Sequence, residues 1–200
     1  MKRGSLIAFE GVDGSGKSTQ LARLAEHLHR AGRRVVATRE PTDGVWGRRI
    51  RAMARSNERV APEEALRWFV EDRREHVATV IAPALREGAV VLTDRYYLST
   101  VAYQGARGLD PARLLAEAEA TFPWPDLAIV LDIAPEAGLA RVAARGGVAE
   151  PAFEEAAFLA RAAAIFRSLA RDYVLHLDAS GTPDAVAAAV REAVARRLGL

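Results

Sequence analysis

The 200-residue chain has no cysteine, which excludes disulfide frameworks, thiolate metal sites and cysteine nucleophiles. Lysine is almost absent: of 28 basic residues only Lys2 and Lys17 are lysines, which leaves 26 arginines. Charge of one sign is not in excess. The 28 basic and 26 acidic side chains leave a formal +2, and no five like charges run together, so bulk charge lends nothing to nucleic-acid binding. No apolar run approaches the ~20 residues that a membrane helix needs. Met1-Lys2-Arg3-Gly4-Ser5 passes directly into a strand-like stretch, without a cleavage-site pattern. No internal repeat appears, and no proline- or glycine-rich stretch divides the chain, so residues 1–200 are expected to form a single domain. With 50% hydrophobic residues the chain is globular rather than disordered. A cytoplasmic protein without membrane or nucleic-acid partners is expected, a location with which the missing disulfides agree.

What is present is an alternation. Ser5 to Glu10, Arg34 to Thr38, Ala89 to Thr93, Leu127 to Asp132 and Tyr173 to Leu177 read as short, nearly all-apolar strands. Between them lie helical patterns. The first runs from Lys17 with Leu21, Leu24, Ala25 and Leu28 on one face. Others are a short helix around Ile50 and Met53, and a long stretch from Pro62 to about Arg86 disturbed near Pro83. Pro111 to Ala120, Glu136 to Ala144, Phe153 to Arg171 and a last helix from Pro183 complete the set. Strands apolar on both faces need cover on both sides. The expected fold is therefore α/β: a doubly wound, parallel, five-stranded sheet with helices on both faces. Ligands bind such sheets at the carboxyl ends of the strands, here after positions 10, 38, 93 and 132.

Gly11-Val12-Asp13-Gly14-Ser15-Gly16-Lys17-Ser18 fits G-x-x-x-x-G-K-[ST] between a strand and a helix. The glycines let the loop wrap phosphates with its N–H groups, and the next helix offers them its positive dipole end. Lys17 can reach the β- and γ-phosphates, and the Ser18 hydroxyl is placed for Mg²⁺. The chain is thus expected to have the P-loop NTPase architecture. Asp94, at a strand end, could hold Mg²⁺ or its waters opposite Ser18, or could be a plain strand-end cap. Arg95 offers a planar fork for a second phosphate. Phe69 and Arg73, four apart on a helical pattern, share a face and could stack on a base and bond its edge. An aromatic at that spacing also suits a core.

Several stretches together resemble the thymidylate kinase family. They are the loop extended to Thr19-Gln20, Thr38-Arg39-Glu40-Pro41, Phe69 to Val77, Asp94-Arg95-Tyr96, Ser99-Thr100-Val101-Ala102-Tyr103-Gln104-Gly105, and Pro125-Asp126-Leu127 leading to Leu131-Asp132. The resemblance spans about Leu6 to Asp178 and implies a Mg²⁺-dependent kinase that moves the γ-phosphoryl of ATP to dTMP, as a homodimer. It assigns ATP and its phosphates to Gly11–Thr19 and Arg141. It assigns the acceptor phosphate to Arg95 and Arg51, the latter otherwise a solvated surface arginine. The thymine goes to Phe69 and Arg73, the rest of the nucleoside pocket to Ser99, Thr100, Tyr103 and Gln104, and the sugar 3′-hydroxyl to Asp13. Arg39, in the second-strand motif, joins the acceptor set by the same resemblance. Lys17, Arg95 and Arg145 would stabilise the transferred phosphoryl, with Arg161 next in line.

Two departures from the family pattern stand out. Thr42-Asp43-Gly44 replaces the usual pair of glycines after Arg-Glu-Pro. In the lid, at about 141–154, the arginine usual before Phe153-Glu154 is Ala152. Arg141 and Arg145 remain, four apart on one helical face. The rival readings are a related kinase of another small phosphate acceptor and a non-enzymatic P-loop switch.

Overall fold

The structure, a computed structural model, describes residues 3–56, 60–144 and 152–200, with side chains 152–155 outside that description. Its sheet has five parallel strands, β1 (Leu6–Glu10), β2 (Val35–Arg39), β3 (Val90–Asp94), β4 (Leu127–Asp132) and β5 (Val174–Asp178), in the order β2-β3-β1-β4-β5. The expected doubly wound α/β sheet is what forms. β1 lies at its centre with every residue buried. Side chains alternate across a strand, and β1 divides accordingly. Ile7 and Phe9 meet Leu21, Leu24 and Leu28 of α1 (Lys17–Arg30) and Val186 and Val190 of α9 (Pro183–Leu198). Leu6 and Ala8 face the opposite core, built on α5 (Tyr97–Ala106), α6 (Pro111–Thr121) and α8 (Ala152–Ser168). Each large apolar side chain buried this way contributes about 1.5–3 kcal/mol.

Local signals explain where helices start. Asp110 and Thr182 accept hydrogen bonds from Ala112 N–H at 2.9 Å and Ala185 N–H at 3.3 Å, each just before a proline at the first helical position. α1 starts differently, at Gly16, with no side-chain cap. Its first N–H groups are left for a ligand.

Three segments differ from the sequence expectation. The disturbance in the long stretch is a π-helical turn, Val77–Ile81, between α3 (Pro62–His76) and α4 (Ala82–Arg86). Pro83 has no N–H to return to the preceding turn, so the widened turn lies upstream of it. α8 ends at Ser168 rather than Arg171. There Leu169 turns inward and its carbonyl faces His176 Nε2 at 3.0 Å. α5 was not expected as a helix, because buried Ser99, Thr100 and Gln104 break its apolar periodicity. Finally, α2 (Val45–Arg55) packs on α3 through Ile50, Met53, Ala65 and Trp68, forming a small core beside the carboxyl ends of β2 and β3.

Candidate active site

The loop after β1 is shaped by glycines that cannot be exchanged. Gly14 has φ +79°, and a Cβ there would lie 2.1 Å from the carbonyl oxygen of Gly138. The helix α7 (Pro135–Ala143) therefore seats its backbone on the loop. A cavity of about 300 Å³ opens there, lined by Asp13, Gly14, Gly16, Lys17, Ser18, Thr19, Asp94 and Arg95, with Leu139 and Val142 of α7 opposite. Lys17 folds back, donating to the carbonyls of Gly11 at 3.0 Å and Val12 at 2.9 Å. Burial, helped by the charge of Arg95, pushes its ammonium down to about 8. Val12 is buried behind the loop, and buried Ser15 Oγ has no partner among the described residues.

Ser18 Oγ donates to Asp94 Oδ2. This hydroxyl and carboxylate are hard oxygen donors at the cavity wall. They fit a Mg²⁺ that keeps waters and phosphate oxygens as its remaining ligands. No group of three or more His, Cys, Asp or Glu that could cage a metal exists among the described residues.

Arg95 stands between this cavity and a second. It has φ +71° although it is not glycine, a conformation that costs about 1–3 kcal/mol and persists only when its surroundings enforce it. They do. Its N–H donates to the carbonyl of Phe9 at 2.9 Å, Thr93 Oγ1 donates to its carbonyl at 2.7 Å, and its guanidinium reaches Asp13 and Ser99 Oγ. Tyr103 donates to the other oxygen of Asp13 at 3.1 Å. Burial alone would raise the Asp13 carboxyl, but Arg95 and Lys17 outweigh it and hold it below the usual carboxylate range. Burial pushes the Tyr103 hydroxyl up to about 12.

The second cavity, about 270 Å³, gathers Asp13, Arg51, Phe69, Arg73, Arg95, Ser99, Thr100, Tyr103 and Gln104 from the loop, α2, α3, the turn after β3 and α5. All were named from sequence, on segments as far as 91 residues apart in number between Asp13 and Gln104. Phe69 is only partly buried and packs at the edge of the small core, so it serves both as core and as cavity wall. Arg73 is buried with Glu40, to which Nε and Nη2 donate at 2.9 and 2.6 Å, and it also donates to Thr100 Oγ1 at 2.9 Å. His76 bridges the other Glu40 oxygen at 3.0 Å and Thr38 Oγ1 at 2.7 Å. Losing one member of such a buried pair costs about 3–5 kcal/mol, so Arg73 is held rigidly. Gln104 is buried, and its Oε1 has no partner among the described residues.

Arg51 donates to the carbonyls of Pro41 at 2.9 Å and Thr42 at 2.6 Å and pairs with Asp43 at 3.0 Å. The Thr42-Asp43-Gly44 turn is itself anchored, since Asp72 accepts from Thr42 N–H at 2.9 Å and from its hydroxyl at 2.6 Å. Arg39 does not join this cavity. It pairs with Asp43 at 3.0 Å on the wall of a separate groove beyond Asp94, because alternation along β2 turns it away from α5. Arg141 lines neither cavity and donates to the carbonyls of Ala179 at 3.0 Å and Ser180 at 3.3 Å. Arg161 donates to the Ala106 carbonyl at 3.2 Å. Arg145 and the rest of 145–151 in the lid lie outside the described residues, as does the side chain of Ala152.

Residues missed from sequence include Glu40, Ile50, Met53, Arg107 and Phe158 on the wall, and Glu10 beneath it. Glu10 is fully buried, accepting from Tyr96 N–H at 3.0 Å and from Ser99 Oγ. Burial pushes its carboxyl up to about 7, against the pull of Ser99 and Arg95. Its one sequence signal was a carboxylate inside an apolar strand.

A family model for thymidylate kinase matches residues 9–190 of this chain. The chain is 45% identical over 196 residues to a thymidylate kinase of Akkermansia muciniphila, covering 98% of this chain and 94% of that protein. It is 44% identical over 183 residues to a thymidylate kinase of Desulfotalea psychrophila, covering 92% and 90%. A thymidylate kinase of Xanthomonas euvesicatoria is 47% identical over 183 residues, covering 92% and 80%. The chain belongs to the thymidylate kinase family.

Proposed function

We propose that this member of the thymidylate kinase family transfers the γ-phosphoryl of ATP to the phosphate of dTMP, giving dTDP and ADP. The observation that carries the reading is the pair of cavities meeting at Asp13 and Arg95, one a phosphate cradle, the other walled by Phe69, Arg73 and Gln104. A switch needs only the first. In the second, Phe69 offers a face for stacking, and the unpaired Gln104 Oε1 offers an acceptor for an imide N–H such as thymine carries.

An acceptor-phosphate oxygen attacks the γ-phosphorus, the bond from that phosphorus to the β–γ bridging oxygen breaks, and ADP leaves with the electron pair. No protein nucleophile is needed. Lys17 leaves the Gly11 and Val12 carbonyls for the β- and γ-phosphates, while Arg95 and Arg51 hold the acceptor phosphate. Fixed cations of this kind stabilise charge in the transition state without reorganising. Ser18 and Asp94 would hold a Mg²⁺, which when bound would supply further charge neutralisation at the donor phosphates. Asp13 takes the sugar hydroxyl, and Ser99, Thr100 and Tyr103 close the nucleoside wall.

In the same reading Arg141 acts on the adenine side and Arg145 reaches the transferred phosphoryl from a lid at about 141–154 of a single domain. The family resemblance implies a homodimer, and the cysteine-free composition agrees with a cytoplasmic location. No helix among the described residues is long and apolar enough to cross a membrane.

Purified protein assayed for ADP release with ATP, Mg²⁺ and each deoxynucleoside monophosphate tests the reading. Fastest release with dTMP is expected. With dUMP, one methyl poorer, it should be lower by ~10–200-fold. Release independent of any acceptor, or preference for another monophosphate, would overturn it.

A further inference from the structure

Glu10 sits at the end of β1 with no exposed surface, immediately before the phosphate loop. Its two oxygens have separate tasks. Oε1 accepts the N–H of Tyr96 at 3.0 Å, and Oε2 accepts the hydroxyl proton of Ser99. A serine hydroxyl has a single proton. With that proton given to Glu10, Ser99 Oγ keeps only lone pairs, and one of them faces Arg95 Nη1 at 3.2 Å. The carboxylate therefore fixes Ser99 as an acceptor, and Ser99 in turn orients the guanidinium.

The same carboxyl also holds the backbone. Tyr96 directly follows Arg95, whose left-handed φ of +71° needs enforcement from both sides. On the near side the Arg95 N–H is tied to the Phe9 carbonyl at 2.9 Å, one residue before Glu10. On the far side the Tyr96 N–H is tied to Glu10 itself. Backbone and side chain of Arg95 are thus both tied to one buried group on the central, fully buried strand. Burying a carboxylate is unfavourable. The reluctance of this one to ionise shows the cost, which an amide or apolar side chain would avoid.

We propose that Glu10, acting through the Ser99 hydroxyl and the Tyr96 amide, is the residue that positions Arg95 for the acceptor phosphate. This rests on the reading of Arg95 as that phosphate's ligand. Ser99 accordingly acts in the nucleoside cavity through Arg95 and not as a donor to the nucleoside.

Glu10→Gln is nearly isosteric but carries one acceptor and one donor. Its –NH₂ either meets the Tyr96 N–H, donor against donor, or donates to one Ser99 lone pair and frees the hydroxyl proton, so that Ser99 is no longer fixed as an acceptor towards Arg95. Calorimetric titration of dTMP and of thymidine into wild type, Glu10→Gln, Ser99→Ala and the double variant separates positioning from general support. Each single variant is expected to weaken dTMP by ~10-fold, the scale of one charge-assisted contact, with thymidine changed by less than ~2-fold. The double variant should be no weaker than the weaker single one. Independently of ligands, the Arg95 Nε–H NMR signal, assigned by its loss in Arg95→Lys, should shift in both single variants. Parallel loss of dTMP and thymidine, multiplying effects, or an unmoved Arg95 signal would overturn the proposal. If wild type bound neither dTMP nor thymidine, the functional reading would fall, and the Arg95 signal alone would decide the role of Glu10.

Discussion

The two cavities on either side of Arg95 are built in opposite ways. The phosphate cradle is made of main chain: a contiguous loop, glycines pressed against α7 and an uncapped helix start. The acceptor cavity is made of side chains from α2, α3 and α5, fixed by contacts across long stretches of sequence such as Arg73 with Glu40 and Tyr103 with Asp13. Backbone N–H groups suit any nucleoside triphosphate, since every one carries the same phosphates. Specificity must come from the side-chain cavity, where shape and hydrogen-bond pattern differ from one base to another.

The largest effect should test that division on the cradle side. Lys17→Ala is expected to cut kcat by at least ~10²-fold, because it removes a cation aimed at developing charge. dTMP affinity measured by calorimetry should stay within ~2-fold, since Lys17 lines only the donor cavity. Equal loss of dTMP binding would erase the division.

Beneath both cavities, Glu10 allows a check through stability. Its carboxyl is raised in the folded protein from 4.5 to about 7, so its own contribution to stability is fully present below 4.5 and is lost as pH rises towards 7. Glu10→Gln has no such decline. Its unfolding free energy relative to wild type should therefore climb between about pH 4.5 and 7 and then level off, with a ceiling of roughly 3 kcal/mol. A difference that is flat with pH would mean that Glu10 is ionised without penalty.

On the acceptor side, Phe69→Ala should raise KM for dTMP by ~10-fold or more while leaving that for ATP unchanged, given ~1–3 kcal/mol per base–aromatic stack. If both constants rise, or only the melting temperature falls, Phe69 belongs to the core and not to the base site. The smallest expected effect is at the rim. Asp43 is exposed and pairs with Arg51, the arginine proposed above for the acceptor phosphate. Asp43→Asn should lower KM for dTMP by no more than ~2–5-fold, as befits an exposed ion pair. A rise would show that Asp43 holds Arg51 in place.

The same contrast governs what could be read from sequence. The cradle was legible residue by residue because its parts are adjacent and its composition follows from the geometry of a phosphate-wrapping loop. The strands were legible because burial on both faces leaves an unbroken apolar run. α5 was not, since Ser99, Thr100 and Gln104 are polar yet buried, and polar atoms in a wall hide the helical period. The cavity residues were named through family resemblance, but their partners were not: nothing local links Arg73 to Glu40, 33 residues away. Arg39 was grouped with the acceptor residues because it shares a motif with Glu40. Neighbours on a strand point to opposite sides, and only the folded sheet separates them. Glu10 went unassigned as the last residue of a strand, because its partners Tyr96 and Ser99 come from the far side of β3 in sequence.

The central claim is that donor and acceptor bind at once, in separate cavities sharing the Asp13–Arg95 wall. It is tested most directly by titrating dTMP into protein saturated with Mg²⁺ and a non-hydrolysable ATP analogue. Binding of one dTMP per chain, with affinity undiminished by the analogue, is the expected result. Displacement of the analogue by dTMP, or abolition of dTMP binding at saturating analogue, would contradict the account.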